Sequence, residues 1–251
     1  MTEKSLQVLS LIASLVVWQL AGWYVGTHIL PGPIEVFPVT WGLIESGDFW
    51  EHLRVSLRRV FVGFGVAFVV GMGYGIAASR VPLFRSLATP LATVVMSTTS
   101  LVIVFVAMLA MGQTETTMTI IVTLIVFGFI GTPIRDALAG IDEDLLVMAQ
   151  SFKCSTLRRL RDVYIPYLVP AMLATSRIGF NIAWKIVALA EVFGFGSGIG
   201  RQISLAYFTF DMTRLLAWLL IFLIVIILIE QLLREYERRT SRWRIGAKTS
   251  T

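Results

Sequence analysis

The sequence predicts an all-α membrane protein with six transmembrane helices. Of its 251 residues, 56% are hydrophobic and only 15% are charged, whereas a soluble domain is nearer half apolar and a quarter charged. The mean hydropathy is +0.79, and the apolar residues cluster into long runs with few or no charges. Composition therefore excludes a soluble enzyme, a disordered chain and a secreted disulfide scaffold.

Six apolar runs are long enough, or nearly so, to cross about 30 Å of hydrocarbon at about 1.5 Å per residue. We expect spans at residues 6–25, 60–79, 87–111, 116–132, 167–190 and 215–233. The first run is too long for a signal peptide and no A-x-A cleavage site follows it, so it is expected to be retained. The fourth run stops at Pro133.

Lys and Arg residues in the connecting loops predict the orientation, because cytoplasmic loops are enriched in them. If the N-terminus is cytoplasmic, fourteen of these residues lie inside and five outside. We therefore expect both termini in the cytoplasm, an extracytoplasmic connection at 26–59, a cytoplasmic loop at 133–166 and a cytoplasmic tail at 234–251.

Three arginines before the second span, Arg54, Arg58 and Arg59, run against this charge bias. An amphipathic helix over 48–59, lying at the membrane surface, would accommodate them. Aromatic residues in the same region fit an interfacial belt: they are Trp23, Tyr24, Trp41 and Trp50.

The sequence offers little for bond chemistry. Cys154 is the single cysteine, and the two histidines, His28 and His52, lie far apart. No G-x-x-x-x-G-K-[ST] phosphate loop is present. The glycine run 194–200 is interpreted as a flexible turn between spans, because no strand precedes it. We expect no metal and no cofactor on this chain.

The 133–166 connection is interpreted as two short helices. Asp142 can cap the first, and Ser155 can cap the second, whose basic residues share a face. The first helix carries an apolar stripe at i, i+3, i+4 and i+7, formed by Leu145, Met148, Ala149 and Phe152. Amphipathicity alone leaves two alternatives open: docking to a cytosolic partner, or a helix lying on the membrane surface.

Several different short motifs follow one another from about residue 30 to residue 244. They are Leu30-Pro31-Gly32-Pro33-Ile34-Glu35-Val36, similar to L-P-x-P-x-x-V; the stretch 49–60; the loop 145–170; Arg177-Ile178-Gly179; Ala183-Trp184-Lys185; Ala190-Glu191-Val192-Phe193; and Gly198-Ile199-Gly200. Each is weak alone, but their order and spacing make chance agreement improbable. With them the chain resembles the inner-membrane permease subunits of bacterial ABC importers, in the nitrate, sulfonate and taurine branch.

The resemblance implies the type I importer permease fold, as a single domain over residues 1–251 in the bacterial inner membrane. It implies two cytosolic ATPase subunits that hold ATP and Mg²⁺, an extracytoplasmic solute-binding protein, and a second permease that is identical or different. Lipid surrounds such a protein, and nucleic acid is no partner. ATP hydrolysis would reside on the partner subunit.

The resemblance also makes the cytoplasmic loop a coupling helix that docks on the ATPase. Its expected contact residues are Leu145, Met148, Ala149, Phe152, Lys153 and Ser155. The family's E-A-A-x₃-G motif is altered, since Val147 stands for Glu, Met148 for the first Ala and Lys153 for Gly. A left-handed Lys153 would cost roughly 1 kcal/mol, but these departures leave the apolar stripe intact.

Polar residues inside spans are candidates for the translocation pathway, because charges are costly in lipid and usually face a cavity or partner. On the fifth span Arg177, Asn181 and Lys185 are spaced four apart, and Glu191 follows near the expected outer mouth. Such a cationic stripe would attract anions. The alternative is structural: Lys185 pairs with Glu191 or a neighbouring span, and Arg177 extends to the interface.

Consecutive hydroxyls lie midway along the expected third span. Ser97, Thr98 and Ser100 are candidates for the pathway, while the alternative is that they bond to backbone carbonyls and tune helix packing. The second span carries glycines that are expected to allow close helix packing: Gly63, Gly65, Gly71, Gly73 and Gly75.

These observations predict a permease for a small anionic solute, such as a sulfonate, taurine, a nitrate-like oxyanion or an organic carboxylate. Two alternatives remain: a stand-alone secondary transporter or channel, and an ABC permease for a vitamin precursor. An ATPase that co-purifies would separate the ABC permeases from a stand-alone transporter.

Overall fold

The computed structural model describes residues 3–141, 158, 161 and 164–240. These residues form nine α-helices and no strand, which confirms the all-α fold. The helices are α1 (Glu3–Val25), α2 (Pro33–Glu45), α3 (Asp48–Arg80), α4 (Pro82–Ser97), α5 (Ser100–Met111), α6 (Glu115–Ala139), α7 (Ile165–Phe193), α8 (Ile199–Phe208) and α9 (Met212–Thr240).

Four of the described helices, α1, α3, α6 and α9, are long and apolar enough to cross a membrane, and a bent pair formed by α4 and α5 makes a fifth candidate. Helix α7, the expected fifth span, is long enough at 29 residues. It falls outside this set because Arg177, Asn181 and Lys185 interrupt its apolar sequence.

Helix α3 corrects the expectation of a separate surface helix over 48–59. It is continuous from Asp48 to Arg80. The side chain of Arg59 is only 3% exposed and lies 2.7 Å from Glu115 of α6, with Arg58 bonded to the same carboxylate at 3.2 Å. Paired in this way, Arg58 and Arg59 belong to one long helix rather than to a separate surface segment.

One expected helix end and one expected continuous span are also wrong. Helix α6 does not stop before Pro133 but continues through it to Ala139; proline is tolerated inside membrane helices because neighbouring groups satisfy the freed backbone. The expected third span, 87–111, is not one helix. It breaks at Thr98 and Thr99, and its two halves are bent by 101°.

The described chain divides into two compact units. Unit 1 comprises Met1–Leu57 and Ala188–Ile226, and unit 2 comprises Arg58–Val187 and Ile227–Thr251. In unit 1, α1 packs on α2 through the Leu30–Pro33 turn: Trp18 Nε1 donates to the Pro31 carbonyl at 3.1 Å, and Gln19 Oε1 accepts from the Ile34 amide at 3.1 Å. Gln19 thus satisfies an amide at the start of α2.

In unit 2, glycines of α3 lie directly against α6. A Cβ at Gly63 would be 2.9 Å from Val122, one at Gly71 would be 2.8 Å from the Phe127 carbonyl, and one at Gly75 would be 2.6 Å from the Gly131 carbonyl. Gly65 and Gly73 face open space. The predicted close packing is therefore confirmed for Gly63, Gly71 and Gly75 and wrong for the other two.

Candidate functional site

In unit 1, the N-terminus of α8 is held by side chains from two other helices. Its N-cap residue, Gly198, has no side chain of its own to accept the exposed amides of the first turn. Gly198 N donates to His52 Nδ1 at 3.3 Å, Ile199 N to Ser56 Oγ at 2.9 Å, and Gly200 N to Glu191 Oε2 at 3.0 Å. Three consecutive backbone amides are thus satisfied.

Glu191, a predicted pathway residue, is fully buried within this cluster. Ser56 Oγ lies 2.9 and 2.8 Å from its two carboxylate oxygens, and the positive end of α8 stabilises the negative charge. His52 Nε2 lies 2.6 Å from the side-chain amide of Gln202, and the His52 ring packs edge-on against Trp218 at 5.9 Å. We call His52, Ser56 and Glu191 the α8 cap.

Two glycines of this segment, Gly198 and Gly200, are required by close contacts. Gly198 has φ +109°, and a Cβ there would overlap the Glu191 carboxylate; a Cβ at Gly200 would overlap the Ala188 carbonyl. The predicted turn between helices is confirmed, and it ends in the three amide hydrogen bonds of Gly198, Ile199 and Gly200.

Sequence reasoning missed His52, Ser56 and Gln202 as site residues. Its one available signal was spacing, since His52 and Ser56 are four apart and share a helix face. Their partners lie 146 and 143 residues further along the chain. That pairing is a tertiary property.

In unit 2, the other predicted pathway residues on α7 are spaced four apart along one continuous helix. Arg177 and Asn181 are half-buried, and Lys185 is exposed. Glu230 of α9 pairs with Arg234 at 2.6 Å. Arg177 and Lys185 act on the same carboxylate from a longer range. Glu230 was not among the predicted site residues.

The hydroxyl cluster lies at the break between α4 and α5. Ser97, Thr98 and Thr99 are exposed and Ser100 is half-buried. Thr98 Oγ1 donates to the Val94 carbonyl at 2.7 Å, and the N-cap of α5, Thr99, makes no side-chain cap bond. The break therefore places polar backbone and hydroxyl groups inside an otherwise apolar stretch.

A match to a family of known proteins decides the identity of the fold. Residues 54–242 match the family "Binding-protein-dependent transport system inner membrane component". The chain belongs to this family. It is a multi-pass inner-membrane permease of an ABC importer. The matched region includes α4, α5 and, of the α8 cap, Ser56 and Glu191.

Curated relatives of the permease carry solute names. It is 25% identical to the putative aliphatic sulfonates transport permease SsuC of Bacillus subtilis, covering 92% of this chain and 84% of the relative. It is 25% identical to the taurine permease TauC of Escherichia coli, with coverage of 96% and 90%. It is 27% identical to the nitrate import permease NrtB of a Synechocystis strain, with coverage of 77% and 73%.

A solved structure shares the fold of the permease. An inward-facing crystal structure of the MetNI methionine ABC transporter aligns with a TM-score of 0.64 at 18% identity, covering 82% of this chain and 99% of that one. At this level of identity the likeness shows the fold, in agreement with the type I importer permease predicted from the sequence.

The predicted coupling residues of the permease lie outside the described residues: Leu145, Met148, Ala149, Phe152, Lys153 and Ser155. The described segments that flank them are tied together in unit 2. Tyr167 OH donates to the Gly140 carbonyl at 2.8 Å, and the Arg80 guanidinium lies over the Tyr164 ring at 5.0 Å. The C-terminal end of α6 and the N-terminal end of α7 therefore lie next to each other.

Proposed function

We propose that this permease forms the translocation pathway for a small anionic solute: a sulfonate, taurine, a nitrate-like oxyanion or an organic carboxylate. The solutes named for the SsuC, TauC and NrtB relatives support this class. An extracytoplasmic binding protein delivers the solute, and ATP hydrolysis on two partner ATPase subunits drives the transport.

The observation that carries the proposal is the break between α4 and α5. Non-helical backbone at membrane depth is tolerated only where it is buried in protein or lines a water-filled cavity, because lipid satisfies no hydrogen bonds. Ser97, Thr98 and Thr99 are exposed at the break, so the interior of this chain does not cover them, which supports a position on a water-filled pathway. Broken helices of this kind surround solute sites in transporters, which supports Ser97, Thr98 and Ser100 as pathway residues.

The charges on α7 support an anion as the solute. Lys185 is exposed and Asn181 is half-buried, so both side chains are accessible from outside the packed interior of unit 2. A cation in a wall of low dielectric constant attracts anions more strongly than one in water. Glu191 contributes to the pathway differently, by holding the start of α8 in place.

The proposed assembly contains two permeases, two ATPases and one binding protein. The loop around the apolar stripe of Leu145, Met148, Ala149 and Phe152 is the coupling element, and both termini lie in the cytoplasm with the ATPases. The bond between Tyr167 and Gly140 supports this role, because a force on the loop would act on the ends of α6 and α7 together.

The test is uptake by the reconstituted complex. The permease is co-purified with its ATPase and binding protein, placed in liposomes, and offered radiolabelled taurine, an alkanesulfonate, nitrate and an aromatic carboxylate. ATP-dependent uptake of at least one anion that requires the binding protein is the expected result. Uptake by the permease alone, driven by an ion gradient, would establish a secondary transporter instead, and uptake confined to a cationic or neutral vitamin precursor would refute the anion class.

A further inference from the structure

The turn between α8 and α9 presents three exposed aromatic rings. Tyr207, Phe208 and Phe210 are 59%, 71% and 81% exposed. The rings of Tyr207 and Phe208 pack edge-on against each other at 5.5 Å. So much apolar surface in one turn is unfavourable in water, and grouped exposure of this kind marks a surface that something else covers.

The backbone of the turn is strained at Phe210, which carries one of these rings. Phe210 has φ 56° and is the non-glycine residue with a positive φ in the described part of the chain. Glycine adopts this conformation without cost, whereas a residue with a Cβ adopts it only at a cost in energy. Hydrogen bonds from Phe210 N to the Tyr207 carbonyl at 3.1 Å and from Asp211 N to the Ala206 carbonyl at 3.0 Å hold it.

The next helix begins at once. Asp211 accepts from the Arg214 amide at 2.9 Å and so caps the start of α9. Conformational strain that the surroundings enforce is a reason to look for a function. A glycine at position 210 would close the same turn without strain. The chain instead has a large exposed ring there.

The covering partner follows from what adjoins the turn. Helix α9 starts two residues after Phe210 and is a span of which only 17% is buried. Its exposed residues near this end include Leu219, Leu223 and Ile224, an apolar surface of the kind that lipid covers around a span. The aromatic turn is therefore continuous in sequence with the end of a candidate span. At that depth headgroups meet acyl chains, and aromatic rings are favoured there.

We propose that Tyr207, Phe208 and Phe210 form an interfacial anchor inserted at the boundary between lipid headgroups and acyl chains. The exposed Arg214 faces the same boundary, where phosphates can accept its hydrogen bonds. The anchor fixes the depth of α8, whose other end is held by the α8 cap. This inference concerns a lipid surface and does not depend on which solute is transported.

The test measures depth at single sites in the assembled complex. Cys154 is the only cysteine, so Cys154→Ser provides a background for Phe208→Cys and Phe210→Cys, each carrying a nitroxide label. Ser46→Cys, at an exposed position after α2, is the matched control. Collision of each label with oxygen, which partitions into lipid, and with a water-soluble nickel chelate is measured by electron paramagnetic resonance in nanodiscs.

The labels at 208 and 210 are expected to collide with oxygen and to show an oxygen-to-nickel ratio several-fold above that of Ser46→Cys. This ratio should stay unchanged when the binding protein is added. Access of both labels to nickel would place the turn in water, exclusion of both reagents would place it against another protein subunit, and a change caused by the binding protein would make it a docking surface. Each of these three results overturns the lipid anchor.

A second variant keeps the proposal testable if the labels disturb the turn. Phe210→Gly suits the left-handed backbone and removes only the ring, so the complex is expected to fold. Its melting temperature should rise less than that of the wild type on transfer from detergent to nanodiscs, because the lipid contact is lost. An equal rise in both proteins would contradict the anchor.

Discussion

The carboxylate of Glu191 and the hydroxyl of Ser56 are hydrogen-bonded at 2.8 and 2.9 Å although the two residues lie 135 positions apart in the sequence. The same hydroxyl accepts a hydrogen bond from the Ile199 amide at 2.9 Å. One buried side chain thus joins a carboxylate to the first turn of α8, and its removal leaves several groups unsatisfied together.

Ser56→Ala is therefore expected to destabilise the permease by about 1–3 kcal/mol, because a buried amide and a buried carboxylate each lose a partner. Thermal melting of the purified complex measures the effect. Ser46→Ala is the matched control, since the Ser46 hydroxyl bonds only its own helix at 3.0 Å and is exposed. A Ser56→Ala protein that melts with the wild type would show that the cluster contributes nothing to stability.

Gly198→Ala should disrupt the α8 cap more severely. The new Cβ would occupy the place of the Glu191 carboxylate, at a φ of +109° that side chains rarely adopt. We expect a loss of roughly 1–3 kcal/mol from the backbone alone, and a lower yield of folded permease by size-exclusion chromatography. Gly196→Ala, two residues earlier and in open space, should be recovered at the wild-type yield. Equal yields of the two variants would refute the close contact.

The packing of α3 on α6 predicts opposite results for two neighbouring glycines. Gly71→Ala places a Cβ 2.8 Å from the Phe127 carbonyl and should cost about 1–3 kcal/mol by overpacking. Gly73→Ala meets open space and should be neutral or stabilising, because alanine favours helix over glycine by up to about 1 kcal/mol. Melting curves of both variants in one detergent decide the matter. The reverse order would mean that α3 turns a different face to α6.

Lys185→Met removes a charge and keeps most of the side-chain bulk. If Lys185 lines the pathway, the complex should assemble and hydrolyse ATP normally but import its anion several-fold more slowly, and Lys185→Arg should import well. If Lys185 instead serves a structural role, Lys185→Met should lower the melting temperature of the complex. Normal uptake by a stable Lys185→Met complex would remove Lys185 from both roles.

The coupling loop is tested by a change on its predicted apolar stripe. Ala149→Asp would bury an unpaired carboxylate against the ATPase at a cost of several kcal/mol, so the ATPase should be lost while the permease stays folded. Gln150→Asp, one residue further and off the stripe, should retain it. The ratio of ATPase to permease after affinity purification is the readout, and a full complement of active ATPase on Ala149→Asp would end the docking assignment.

How far the sequence predicts this molecule depends on whether a feature is local. The apolar runs predict most of the spans, because burial in lipid requires little beyond apolar length. Helix α3 was divided wrongly at its arginines, since only tertiary structure reveals that Glu115 pairs with Arg59. The hydroxyls at 97–100 were visible in the sequence, but the break was not, because serine and threonine also bond to their own helix without interrupting it.

The candidate site was predicted in the same uneven way. Glu191 and Lys185 were conspicuous, since charges are rare inside apolar runs. His52 and Ser56 were not, because nothing in an isolated sequence distinguishes a polar residue that will meet α8 from one that will remain in water.

The break at Thr98 and Thr99 also affects the surrounding bilayer. With 16 and 12 residues, α4 and α5 rise about 24 Å and about 18 Å, each less than the hydrocarbon thickness of about 30 Å. Because the two segments meet at 101°, their lengths do not add along one direction. A thinner bilayer matches so short a pair better, so we expect the rate of transport to rise in lipids with shorter acyl chains.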